Sequence, residues 1–179
     1  VALQATVRRF AIALADSDRG VYEQLDLRVA QHPSESERYL IARVVARTLE
    51  HAEGLEFSAG GVSDDSLPAL VQRDLQGTLV AWFEIGSPSP ERLHKASKAC
   101  RRVVVYAWKS VDQLVEAARA FGVHRVEALE VNAVDDAWLD AIAATLDRNN
   151  AWSLAIAGGT IYLEVRGTTH ETTIRRVAV

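Results

Sequence analysis

The sequence predicts an α/β fold: one domain with a mixed central β-sheet flanked by helices and with antiparallel strands at its N- and C-terminal ends. Three observations predict it. The opening segment alternates polar and apolar side chains, the middle of the chain alternates strand-like and helix-like periodicity, and the closing segment returns to strand pattern around a glycine pair. Helix and strand in alternation imply crossover connections and parallel neighbours. At 179 residues, 49% hydrophobic and 25% charged, the chain is long enough for one sizeable core and too apolar for disorder. No repeat, low-complexity segment or linker interrupts it, so residues 1–179 are read as a single domain.

The elements follow in order. Phe10, Ile12 and Leu14 share one face of a strand, and after the turn signal DSDRG the odd positions Val21, Leu25, Leu27 and Val29 share a face of a second, giving an antiparallel pair. Pro33 then stops strand, Ser34 and Glu37 form an S-x-x-E capping box, and Leu40, Ile41, Val44, Val45, Thr48 and Leu49 recur at helical spacing. This predicts a helix over about residues 34–52, with Gly54 as its left-handed C-cap. LEFSAGG reads as a short strand running into a turn, and VSDDSLP as an acidic loop. PALVQRDL and TLVAWFEIG flank Gln76 and Gly77 as a hairpin whose second arm is apolar enough for the sheet centre. Ser89 caps the next helix with Pro90 at its first position, where a missing amide costs nothing. RRVVVYAW is a buried strand, SVDQLVEAARAFG a helix, HRVEALEVN a strand and DDAWLDAIAATLD a helix. SLAIAGGTIYLEVRG makes a hairpin around Gly158 and Gly159, and THETTIRRV adds a third strand.

Twenty Lys+Arg against 24 Asp+Glu give a net charge of −4, which argues against a surface that grips nucleic acid everywhere and leaves room for a local basic patch. Only three of the cations are lysines: Lys95, Lys98 and Lys109. A lone Cys100 cannot close an internal disulfide, no apolar run approaches the roughly 20 residues of a membrane span, and no signal-peptide pattern opens the sequence. A soluble, cytoplasmic protein without a membrane partner is expected. Phosphate-loop, dinucleotide, H-E-x-x-H and paired C-x-x-C motifs are absent, and the five histidines are dispersed. Cys100 falls on the apolar side of its helix, as a packing residue would.

Glu84 is the informative position. It is the only charge in TLVAWFEI and stands at the C-terminal end of that strand, where ligands of α/β sheets gather. A carboxylate buried there needs a cation or donors, and a salt bridge to an arginine or a functional site would each supply them. Asp74, at the hairpin turn, lies roughly 26 Å from Glu84 at 3.3 Å per residue. Counting the same distance back along the partner strand reaches Pro68, so the loop carrying Asp64 and Asp65 opens near Glu84. Two carboxylates at a strand end can hold Mg²⁺ or Mn²⁺, and DDS is equally ordinary turn chemistry. The start of the next helix favours an anion near residues 87–91, Ser87 included. On a helical projection Leu93, Ala96, Ser97 and Cys100 face the sheet, Arg92 lies at the boundary and Lys95 points largely away. In the first helix Glu35 suits the dipole, and it is functional only if it approaches Glu84.

HPSESERYLIARVVARTL, GVSDDSLPAL, LVAWFEIGSPSPERLHKASKA and RRVVVYAW, in this order and spacing, resemble the YaeQ family of small bacterial proteins. The likeness is strongest over about residues 2–108. That family is similar in fold to the PD-(D/E)XK, restriction endonuclease-like, superfamily, and the resemblance implies a variant of that fold with a mixed sheet flanked by helices. It further implies an Mg²⁺ or Mn²⁺ site made by Asp65 and Glu84, with Asp64 as the other choice of aspartate. Gly86 stands where the superfamily lysine is expected, so Lys95 on the following helix becomes its substitute, and Glu35 matches an accessory carboxylate from the first helix; with Ser87 and Arg92 from the helix start, Glu35 completes the expected substrate-binding residues. Ser66-Leu67-Pro68 replaces the family's acidic D-E-P element. The implied activity is metal-dependent phosphodiester hydrolysis on nucleic acid; the alternative is an inactive nuclease-fold module that binds nucleic acid or a protein. Fold alone does not choose between them.

Overall fold

The computed structural model describes residues 5–59 and 66–179. Over these residues the fold is mixed α/β, with four α-helices and two mixed sheets of five and six strands. The chain separates into two compact units, residues 1–41 with 135–174, and residues 42–134 with 175–179.

The first unit contains β1 (Thr6–Asp16), β2 (Val21–Gln31), α4 (Asp136–Ala143), β8 (Asn149–Ala157), β9 (Thr160–Val165) and β10 (Thr168–Thr173), in the sheet order β10-β9-β8-β1-β2. The β1–β2 pair is antiparallel, with Ile12 opposite Leu25. β8 runs parallel to β1 and places Trp152 opposite Ile12 and Leu154 opposite Leu14. Because side chains alternate along each strand, this register collects Phe10, Ile12, Leu14, Trp152, Leu154, Ile161 and Leu163 on one buried face. Phe10 and Trp152 meet edge to face with ring centroids 5.0 Å apart, a pairing worth about 0.5–1.5 kcal/mol beyond its buried area. Asp18 locks the two hairpin turns together, its carboxylate accepting from the Gly158 and Gly159 amides, both at 2.8 Å.

The second unit holds β3 (Leu55–Phe57), β4 (Leu70–Arg73), β5 (Leu79–Ile85), α2 (Pro90–Ala99), β6 (Arg102–Ala107), α3 (Val111–Phe121), β7 (Glu130–Ala133) and β11 (Arg175–Val177), in the sheet order β11-β7-β6-β5-β4-β3. β5, β6 and β7 are parallel, as the intervening helices require. Trp82, Val103, Val105, Ala107 and Val131 on one face pack with Leu93, Ala96 and Cys100 of α2 and Val111, Val115 and Ala118 of α3. Phe83, Val104 and Tyr106 take the opposite face by alternation, and they are buried too. The helix α1 (Glu37–Leu49) crosses from one unit to the other along the chain and is buried on all sides over residues 40–46, Arg43 included. The Arg43 guanidinium stacks 5.3 Å above the Phe57 ring. Just past the end of α1, Glu50 accepts from the Tyr106 hydroxyl at 2.7 Å and from Arg102 at 2.9 Å, and Arg102 also binds Glu130 through Nε and Nη2, both at 3.0 Å. Burial, and then the neighbouring Glu50 charge, push the Tyr106 phenol well above its ordinary range, so it stays a hydrogen-bond donor.

Four expectations change. Most of the terminal strands are not additions to a central sheet: β1, β2, β8, β9 and β10 form a sheet of their own, joined through the parallel β1–β8 pair, and only β11 adds antiparallel to the six-stranded sheet, beside β7. The cap of α1 is Ser36, whose Oγ accepts from the Tyr39 amide at 3.2 Å, while Ser34 Oγ lies 2.6 Å from His32 Nδ1. Residues 124–129 form a turn and a 3₁₀ segment (Val126–Ala128), leaving only residues 130–133 as strand. Gly54 stands beyond the helix in the turn into β3, at φ +76°, not as the C-cap.

Gly54 is glycine for two reasons. Its φ lies in the left-handed region, and a Cβ built there would sit 1.9 Å from the Arg73 carbonyl oxygen, the neighbour whose amide donates to Gly54 O at 3.0 Å. Gly20 shares the backbone sign, φ +69°, but faces open space. Gly54→Ala is therefore expected to lower the unfolding free energy by about 3 kcal/mol or more, and Gly20→Ala by about 1–2 kcal/mol. Urea midpoints of the two variants measure the difference, and equal shifts would contradict the steric account.

Candidate functional site

The site is built where β5 ends. TLVAWFEI is a continuous apolar run, so β5 sits inside the sheet between β4 and β6, and Glu84 is carried into the interior with 3% of its surface exposed. Strand alternation puts Trp82 and Glu84 on the α2 side, and the indole Nε1 donates to Glu84 Oε1 at 2.6 Å. Gly86, at φ +86°, then turns the chain out of the sheet, and its amide donates to the Tyr106 carbonyl at 2.8 Å. Ser89 caps α2 by accepting from the Arg92 amide at 3.2 Å, with Pro90 at the first turn. That start point sends the Arg92 side chain back toward Glu84, the direction in which helical side chains lean. Arg92 Nε donates to Glu84 Oε1 at 2.8 Å, and Nη2 donates to the Leu67 carbonyl at 2.5 Å.

Three segments therefore converge on one carboxylate. β4 pairs with β5 so that Leu70 lies opposite Phe83, and the Ala69 amide donates to the Phe83 carbonyl at 3.1 Å. The arm at residues 66–69 consequently runs past Glu84, where counting back from the hairpin turn had placed it. Asp74 caps that turn at the far end, Oδ1 accepting from the Gln76 and Thr78 amides.

The remaining expected residues divide clearly. Asp64 and Asp65 lie outside the described residues. Lys95 is exposed on α2, while Leu93, Ala96, Ser97 and Cys100 are buried as the helical projection requires. Ser87 is exposed on the connection from β5 to α2. Glu35 is buried in the first unit, in the turn before α1, where Oε2 accepts from the His32 amide at 3.2 Å. Cys100 is a buried packing residue. Sequence reasoning missed two participants: Trp82, whose position two residues before Glu84 on one strand was a readable signal, and the Leu67 carbonyl, which no side-chain pattern reveals. Among the described residues no group of three His, Cys, Asp or Glu side chains comes together.

Burial pushes the Glu84 carboxyl above its ordinary range, and the hydrogen bonds from Trp82 and Arg92, with the Arg92 charge, pull it back only in part. Both of those bonds fall on Oε1. The arrangement can hold a carboxylate at neutral pH and present its second oxygen, Oε2, at the end of the sheet.

The chain matches the family model described as "YaeQ: YaeQ protein" over residues 1–174. It is 29% identical over 164 residues to the "Uncharacterized protein YaeQ" of Escherichia coli (strain K12), covering 91% of this chain and 90% of that one. Among solved structures it is similar to the YaeQ protein from Pseudomonas syringae, with a TM-score of 0.90 and 28% identity over 98% of this chain and 97% of that chain. It is likewise similar to the YaeQ protein from Xanthomonas axonopodis pv. citri, with a TM-score of 0.86 and 31% identity over 96% and 97%. The chain belongs to the YaeQ family.

A carboxyl whose value is raised on folding binds its proton more tightly folded than unfolded, so it stabilises the fold at low pH and loses that contribution as pH rises through the raised value. Glu84→Gln removes this slope. Between about pH 4 and pH 8, urea midpoints should shift progressively in favour of Glu84→Gln relative to wild type as pH rises. A gap that stays constant, or moves the other way, would contradict the burial-dominated environment.

Proposed function

For this member of the YaeQ family we propose a PD-(D/E)XK-type site at the end of β5, acting on the phosphodiesters of nucleic acid in the cytoplasm. The observation that carries the reading is Glu84 itself: a carboxylate kept in the interior of a sheet, at the strand end where such sites lie, despite a desolvation cost that Arg92 offsets only in part. A wholly structural position would be served as well by an apolar residue of similar size.

What supports a hard divalent cation here is one carboxylate oxygen of the described residues, Glu84 Oε2. Mg²⁺ is usually bound through one or two carboxylates and keeps several waters. Glu84 offers Oε2, since Oε1 takes the Trp82 and Arg92 bonds, and Asp65 is the proposed second ligand. When bound, such an ion supplies Lewis-acid polarisation of the phosphodiester. The chain's own residues do the rest. Trp82 and Arg92 fix the carboxylate, Arg92 through Leu67 fixes the arm that leads from Asp65, and Ser87 at the head of α2 meets the anionic substrate. Lys95 is long enough to bend toward the helix start.

Two observations favour a second reading, a nuclease-fold module that binds nucleic acid without turnover. Gly86 has a left-handed backbone in which a lysine would be strained by about 1–2 kcal/mol, and Lys95 is exposed.

Titration calorimetry with Mn²⁺ is expected to show saturable binding that Glu84→Gln abolishes. With metal present, cleavage of single-stranded DNA, duplex DNA or RNA should fall about 100-fold or more in both Glu84→Gln and Lys95→Ala. Absence of heat at millimolar Mn²⁺ would overturn the metal site. Metal binding with salt-sensitive nucleic-acid binding and no cleavage would select the second reading.

A further inference from the structure

The opposite end of the same sheet carries a different chemistry. Where α2 finishes and β5 begins, the turn between α3 and β7 closes a cleft of about 680 Å³, open to solvent, whose polar lining is Thr78, Lys98, Arg101, His124 and Arg125. That volume is in the range of small-ligand sites, about 300–1,000 Å³. Counted along β5, it lies about 17 Å from Glu84 at 3.3 Å per residue.

The lining contains four basic side chains and no carboxylate, in a chain of net charge −4. Several cations elsewhere are matched: Arg9 to Asp26, Arg19 to Asp16, Arg38 to Asp140 and Arg102 to Glu50 and Glu130. Lys98, Arg101 and Arg125 have no ion-pair partner among the described residues. Two of the four are held in place, Arg125 through its guanidinium and His124 through its backbone amide. Arg125 adopts a left-handed backbone, φ +49°, and its Nη2 donates to the Ser97 carbonyl at 2.7 Å and the Cys100 carbonyl at 3.3 Å, which anchors it against the C-terminal turn of α2. His124 is also fixed, its amide donating to His94 Nδ1 at 3.2 Å, and the His94 ring stands edge to face with the half-exposed Phe121 at 5.8 Å. Like charges gathered in one concavity repel each other, and a multiply charged anion relieves that repulsion by pairing with several at once.

We propose that this cleft binds the phosphate group of a nucleotide, with Lys98, Arg101 and Arg125 on the phosphate oxygens. Phosphate matches the lining better than a monoanion does, because guanidinium forks and an ammonium together satisfy its several acceptors. The phosphate can belong to a free nucleoside diphosphate or to a single-stranded backbone, and the site is independent of the Glu84 chemistry.

Calorimetry at physiological salt with inorganic pyrophosphate, ADP and short oligonucleotides of increasing length tests it. Wild type should bind pyrophosphate saturably. Lys98→Ala with Arg101→Ala, both exposed and so without a folding role, should weaken binding about tenfold or more. Arg28→Ala with Arg148→Ala, two exposed cations of the first unit, should leave it within about twofold, as should Glu84→Gln. Affinity that rises with oligonucleotide length assigns the phosphate to a backbone, and tighter binding of ADP than of pyrophosphate without a length effect assigns it to a free nucleotide. No saturable binding of pyrophosphate, or equal losses in the two double variants, would overturn the proposal.

Discussion

A carboxylate inside a β-sheet must be compensated, and much of the second unit is arranged around the way Glu84 is. Arg92 reaches it only because α2 starts where it does, after the left-handed turn at Gly86 and the Ser89 cap with Pro90 behind it. The same guanidinium holds the Leu67 carbonyl, so one side chain ties the end of β5, the start of α2 and the arm before β4. Trp82 adds a donor from the strand itself. Remove the carboxylate and Arg92 loses its buried counter-charge; remove Arg92 and, among the described residues, the Trp82 indole is the donor left to the buried carboxylate.

The sheet of the second unit is polarised by this arrangement. At the C-terminal end of β5 a buried anion is met by a helix start and an arginine, both favourable to negative charge. At the other end the last turn of α2 exposes its carbonyls, which Arg125 satisfies, and the cations of the cleft collect around that turn. On the face away from α2, Arg102 lies between Glu50 and Glu130 and over the Phe83 ring, fixing the end of α1 to the strands. The hydrogen bonds and charge of Arg102, with that of Arg176, hold the Glu130 carboxyl below its ordinary range against the effect of burial.

Local pattern carried most of this into the sequence. The alternation through Phe10, Ile12 and Leu14 marked a strand with one buried face, Ser89-Pro90 marked the start of α2, and the single charge in TLVAWFEI marked Glu84. What local pattern could not carry was partnership at a distance. Nothing in residues 9–16 announces a parallel neighbour at residues 149–156, so the two sheets read as one. The capping box chose Ser34 because Glu37 completes it, whereas the fold uses Ser36, and the periodic apolar stretch ran on into Gly54 although the chain had already left the helix. HRVEALEVN has strand composition throughout, but the Arg125 guanidinium is drawn to the end of α2 and the first half becomes a turn. Arg92 was legible as a boundary residue, and its choice of Glu84 depended on a pairing register that only the folded chain supplies.

The central claim is that the Glu84–Arg92 contact, not either residue alone, organises this end of the unit. A double-mutant cycle on urea unfolding with Glu84→Gln, Arg92→Met and both together measures that contact directly. The account predicts a coupling of about 1–2 kcal/mol, with the double variant more stable than the sum of the single losses implies. Additivity within about 0.3–0.5 kcal/mol would contradict it.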